Sequence, residues 1–62
     1  MPIIEFKAFE QRFTDQAKVD RLIAGLTEAV VDVYGEALRN EIEVIVQGVD
    51  PKRWGFGGKV RG

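Results

Sequence analysis

The 62 residues contain no histidine and no cysteine. Without them there is no Ser-His or Cys-His catalytic pair, none of the commonest metal sites and no disulfide framework. A reducing intracellular compartment is therefore allowed, and catalysis falls to amines, carboxylates or arginine, with no metal or other cofactor expected. Long apolar runs are missing too. No segment approaches the ~18 uninterrupted apolar residues of a membrane span, and the N-terminus lacks a basic start followed by an apolar run, so the expectation is a soluble, cytoplasmic chain. Charge of one sign is also scarce. Nine basic residues stand against ten acidic ones, giving a net charge of −1, which leaves no electrostatic footprint for nucleic acid or an anionic membrane.

What is present is a high apolar fraction, 45% of residues, on a chain long enough for one domain spanning 1–62. A domain of this size buries only about 60% of its unfolded surface, while ordering costs roughly 1.5 kcal/mol per residue, so the balance lies near zero. With no disulfide or metal to help, association with other chains is the remaining route to stability.

The pattern along the chain predicts a small α/β fold. From Ile3 to Phe9, Ile4, Phe6 and Ala8 alternate with Ile3, Glu5, Lys7 and Phe9, as in a strand with one apolar face, and Pro2 stands where a missing N–H costs no ladder bond. Thr14 or Asp15 can cap a helix over about 15–34, because Val19, Leu22, Ile23, Leu26, Val30 and Val33 recur at three- and four-residue steps until Gly35 can close it in a left-handed conformation. A polar link, Glu36 to Glu41, leads to the β-branched run Ile42 to Val46, read as a second strand. Strand, helix, strand is a βαβ unit with parallel strands and a right-handed crossover. Two strands leave both sheet edges open, and these edges are expected to pair with neighbouring subunits. Pro51 to Lys59 suits a C-terminal β-hairpin whose Trp54 and Phe56 pack on another subunit.

Pro2 is the residue with most chemical interest. A methionine before proline is ordinarily removed, and loss of Met1 would expose a secondary amine whose pKa an apolar wall lowers toward neutrality, where it shuttles protons well. Taken alone, a proline opening an edge strand is ordinary. Arg12, where the first strand turns toward the helix, has the right chemistry for a bidentate carboxylate clamp, although an arginine in a polar loop is usually just solvated. Trp54 is more often packing than pocket, yet near an amine it would supply desolvation. Lys52, Arg53, Lys59 and Arg61 read as a solvated basic tail. Gly55 to Lys59 has neither the spacing nor the following helix of a phosphate loop.

Met1-Pro2-Ile3-Ile4, Arg12 followed by Thr14-Asp15-Gln16, and Trp54-Gly55-Phe56-Gly57-Gly58-Lys59 together resemble the 4-oxalocrotonate tautomerase family over nearly the whole chain. The resemblance implies a βαβ unit with a C-terminal hairpin, assembled as a hexamer of strand-joined dimers. It also implies an isomerase of the kind used in aromatic degradation, with no cofactor, in which Pro2 moves a proton within a small anionic, unsaturated 2-hydroxy or 2-oxo acid such as 2-hydroxymuconate. By the same resemblance Arg12 binds the far carboxylate and Trp54 forms the apolar wall.

Two departures stand out. The family's second arginine, which polarises the 2-oxo group in a neighbour's site, falls on Glu43, and Arg39 in the link is the nearest substitute for binding substrate. Gln11 replaces the glycine common before the first arginine. Glu43 would repel an anionic substrate and raise the pKa of a nearby amine. It therefore keeps two other readings open: a partner-dependent structural subunit co-assembled with a related chain, and a hydratase or dehalogenase in which a cationic Pro2 acts as an acid.

Overall fold

The alternation and the helical stripe resolve into the expected order in the computed structural model, which describes residues 1–61. Strand β1, Ile3–Phe9, is followed by a short 3-10 helix, Glu10–Phe13, and helix α1, Gln16–Tyr34; a second 3-10 helix, Glu36–Glu41, leads into β2, Glu43–Val49. After a third 3-10 turn, Pro51–Arg53, strands β3, Gly55–Phe56, and β4, Lys59–Val60, complete the chain. β1 and β2 are parallel, running in register from Ile3 opposite Glu43 to Phe9 opposite Val49, and β3 and β4 are antiparallel. The two pairs are separate sheets.

Local chemistry accounts for the boundaries. Asp15 caps α1, its carboxylate accepting from the Ala17 N–H at 3.0 Å, whereas the Thr14 hydroxyl turns back toward the Gln11 carbonyl. Gly35 ends the helix at φ 102° and ψ 158°. This is a glycine-only region, more extended than the expected left-handed turn. The link after it, read from sequence as merely polar, winds into a 3-10 helix. The second strand runs three residues past the expected end at Val46, because Gln47 and Gly48 continue the ladder with Lys7 and Ala8. Gly57 and Gly58, at φ 57° and 85°, supply the positive dihedrals of a two-residue hairpin turn.

The sheet face toward α1 carries Ile4, Phe6 and Ala8 from β1 with Val44, Val46 and Gly48 from β2. Val19, Leu22, Ile23, Leu26 and Val30 of α1 are half-buried. Val33, expected on the same stripe, is 70% exposed; it lies in the last turn, with no covering element. Gly48 is required by packing, since a Cβ there would lie 2.8 Å from the Glu10 Cα. Its absence lets the first 3-10 helix settle on β2.

Among the described residues none is buried. The radius of gyration is 14.3 Å, against about 11 Å for a compact chain of this length. The accessible surface is 4962 Å², where a folded monomer of this mass exposes about 4,000 Å². Exposed apolar residues include Ile3 and Ile45 on the outer sheet face, and among the described residues the outer edges of β1 and β2 carry no partner strand. No described helix is long and apolar enough to cross a membrane.

Candidate active site

β1 separates the candidate residues into two groups. Pro2 precedes the strand and Arg12 follows it. Seven intervening strand residues at about 3.3 Å each set the two ends roughly 23 Å apart. Trp54 belongs to the Arg12 end, its ring packed edge-on against Phe9 with centroids 4.8 Å apart. Arg39 belongs to the Pro2 end, in the 3-10 helix that feeds the start of β2. One chain does not bring the four together.

At the Pro2 end, Met1, Pro2, Val30, Tyr34 and Leu38 line an open groove of about 480 Å³. Pro2 follows the strand alternation onto the helix-facing side, and its carbonyl accepts from the Glu43 N–H at 3.0 Å. That bond ties the first residues to β2 and fixes where the groove opens. Val30 and Leu38 form the apolar side that the sequence reading assigned to Trp54. Glu43 shares the outer face with Ile3, its partner in the register, so its carboxylate lies on the other side of the sheet from the groove of its own Pro2.

Arg39 is committed elsewhere. Its Nε donates to both carboxylate oxygens of Glu36 at 3.0 Å, and its terminal nitrogens bind Glu28, one of them at 3.0 Å. These hydrogen bonds push the guanidinium pKa up. The Glu28 carboxyl is held below the usual glutamate range, chiefly by its hydrogen bond from Arg39. A guanidinium with two carboxylate partners has little donor capacity left for a substrate carboxylate.

Arg12 is the opposite case. It is exposed, has no ion-pair partner among the described residues, and lines a groove of about 550 Å³ with Phe6, Phe9, Phe13, Asp15 and Lys18 among its neighbours. Phe13 packs edge-on against Phe6, centroids 6.2 Å apart, and so steadies the 3-10 helix that carries Arg12. The fork therefore stands free beside an apolar floor, well suited to a carboxylate on an unsaturated chain.

Sequence reasoning missed Val30, Tyr34 and Leu38 as groove residues. Val30 was read as helix stripe, and Leu38 as part of a polar link. Tyr34 carries the one hydroxyl in that lining, although catalysis had been assigned to amines, carboxylates or arginine. Its signal was its place in the last helical turn, next to Gly35.

Fold and site together define a class: small βαβ chains with a proline ahead of the first strand and a free arginine just beyond it. A family model described as Tautomerase enzyme matches residues 2–62, and the chain belongs to that family. Membership supports isomerase-type chemistry. A search of curated proteins and a search of solved structures each give no match.

Proposed function

We propose that this chain is a cytoplasmic, oligomeric tautomerase of the 4-oxalocrotonate type, in which the Pro2 amine, freed by loss of Met1, moves a proton within a small unsaturated 2-hydroxy or 2-oxo acid. Pro2 at the mouth of the Val30–Leu38 groove is the observation that carries it. Apolar walls disfavour the ammonium form and leave a neutral amine ready to accept a proton. While Met1 is attached the same nitrogen is an amide and has no such basicity, so processing is a condition of activity.

The strand-length separation of Pro2 from Arg12 and Trp54 supports a site assembled between chains. Pro2 of one chain works opposite Arg12 and Trp54 of another, and the open edges of β1 and β2 and the exposed Ile3 and Ile45 supply surface for the contact. The absence of any buried residue among the described residues supports the same association, to a hexamer by resemblance to the family. Arg12 holds the distant carboxylate and draws electron density toward it as the proton moves.

A second reading has one specific observation in its favour: the occupation of Arg39 by Glu28 and Glu36. With Arg39 so paired, the described lining of the Pro2 groove supplies no free cation, as in a subunit that depends on a related chain for its second arginine.

Ketonisation of 2-hydroxymuconate by protein of confirmed Met1 loss, followed by absorbance beside Pro2→Ala, tests the proposal. Activity abolished by Pro2→Ala is expected. An inert, correctly processed and assembled protein that a related chain reactivates would favour the second reading.

A further inference from the structure

The groove at Pro2 has an unusual polar inventory for a site that handles anions. Of the lining residues that remain once Met1 is removed, Val30 and Leu38 are apolar, Pro2 supplies the amine, and Tyr34 brings the one side-chain hydroxyl. Arg39, adjacent in sequence to Leu38, is turned to Glu28 and Glu36. Glu43 stands on the opposite sheet face and brings a carboxyl where the family has an arginine. Proton abstraction beside a carbonyl pushes charge onto the carbonyl oxygen, and that oxygen requires a donor.

We infer that Tyr34 is this donor and that the substrate end lying in the Pro2 groove is a neutral ketone or aldehyde, so that the preferred substrates carry a single carboxylate, the one held by Arg12. The inference rests on the proposed role of Pro2 and narrows the substrate class of that site. Acids without a carboxylate next to the carbonyl are preferred, and 2-hydroxymuconate, with a carboxylate at each end, is a slower substrate that still reports on Pro2 and Arg12. Neutral Pro2 takes a proton from the carbon beside the carbonyl. The C–H electron pair becomes the C=C bond of an enolate, and the carbonyl π pair moves onto oxygen, where the Tyr34 O–H donates to it. The prolinium then returns the proton to carbon. Tyr34 stays protonated throughout, and no oxidant or other reactant is consumed. Once a neighbouring chain closes this open groove, a second carboxylate at this end would lie against Val30 and Leu38 with no cation from the groove's own lining to meet it, at the desolvation cost that attends any unpaired buried charge.

Tyr34 is 75% exposed, so Tyr34→Phe removes an oxygen without disturbing packing. The test is hydrogen–deuterium exchange, followed by NMR, at the methylene beside the ketone in 4-oxopentanoate and in 2-oxopentanedioate. These two acids share the spacing from carbonyl to far carboxylate and differ in having a methyl or a second carboxylate beyond the carbonyl. The wild-type protein, with Met1 removed, is expected to exchange 4-oxopentanoate faster. Tyr34→Phe is expected to lower kcat for it by about 10- to 100-fold with KM changed by less than about threefold, the pattern of a donor that acts mainly in the transition state. Faster exchange of 2-oxopentanedioate, or a Tyr34→Phe kcat within about twofold of wild type, overturns the inference while leaving Pro2 as base. Exchange that survives Pro2→Ala, or is absent from the wild-type protein with both acids, overturns the role of Pro2 itself.

Discussion

Trp54 lies edge-on to Phe9 at an interplanar angle of 73°, at the end of β1 farthest from Pro2. The pair closes the sheet where β2 gives way to the hairpin and fixes the large aromatic beside the groove of Arg12. Its position removes Trp54 from consideration as a wall for its own Pro2, and under the proposed shared site it would serve a neighbour's.

Replacing Trp54 separates packing from chemistry. Trp54→Ala is expected to cost roughly 1–3 kcal/mol, from lost aromatic contact and burial of a half-exposed side chain, measured by urea unfolding at fixed protein concentration. Trp54→Phe keeps an edge-on partner for Phe9 and is expected to retain most of that stability.

Gly48 is expected to tolerate no side chain. A Cβ would meet the Glu10 Cα at 2.8 Å and the Phe13 ring at 3.2 Å, so Gly48→Ala must displace the short helix that carries Arg12. Overpacking of this kind costs about 1–3 kcal/mol. The expected signature is a lower urea midpoint together with a raised KM for a carboxylate substrate.

The Arg39 clamp responds to acid in a defined sense. Because Glu28 titrates below its ordinary value, its contribution to stability is complete above the unfolded-state glutamate pKa, about 4.3, and is lost as pH falls through the lower folded-state value. Glu28→Gln is therefore expected to narrow the loss of thermal stability below about pH 4, and high salt to shrink the difference between the two proteins, since the ions are exposed. Equal acid sensitivity in both proteins would show that the pair contributes nothing measurable.

The fold was legible because each element is announced by its own periodicity: alternation in β1, the stripe from Val19 to Val30 in α1, and Gly57-Gly58 between two short strands. The extra residues of β2 were not, since Gly48 breaks the β-branched run while still pairing with Ala8. Pro2 and Arg12 could be picked out as candidates from residue chemistry and family resemblance. Their separation depends on strand length and required only counting along β1. The fate of Arg39 was hidden, because Glu28 is eleven residues away and meets it only once the link winds into a 3-10 helix. Tyr34 was hidden for a similar reason: a tyrosine ending a helix acquires meaning only when the turn at Gly35 brings Leu38 back beside Pro2.

The central claim, a site shared between chains, is tested most directly by mixing Pro2→Ala and Arg12→Ala proteins, refolding them together and assaying 2-hydroxymuconate ketonisation, with mixed assembly confirmed by native mass spectrometry. Each variant alone is expected to be nearly inactive. The mixture is expected to recover about a quarter of wild-type activity, from sites that join an intact Pro2 of one chain to an intact Arg12 of another. A mixed assembly as inactive as its components would contradict the account.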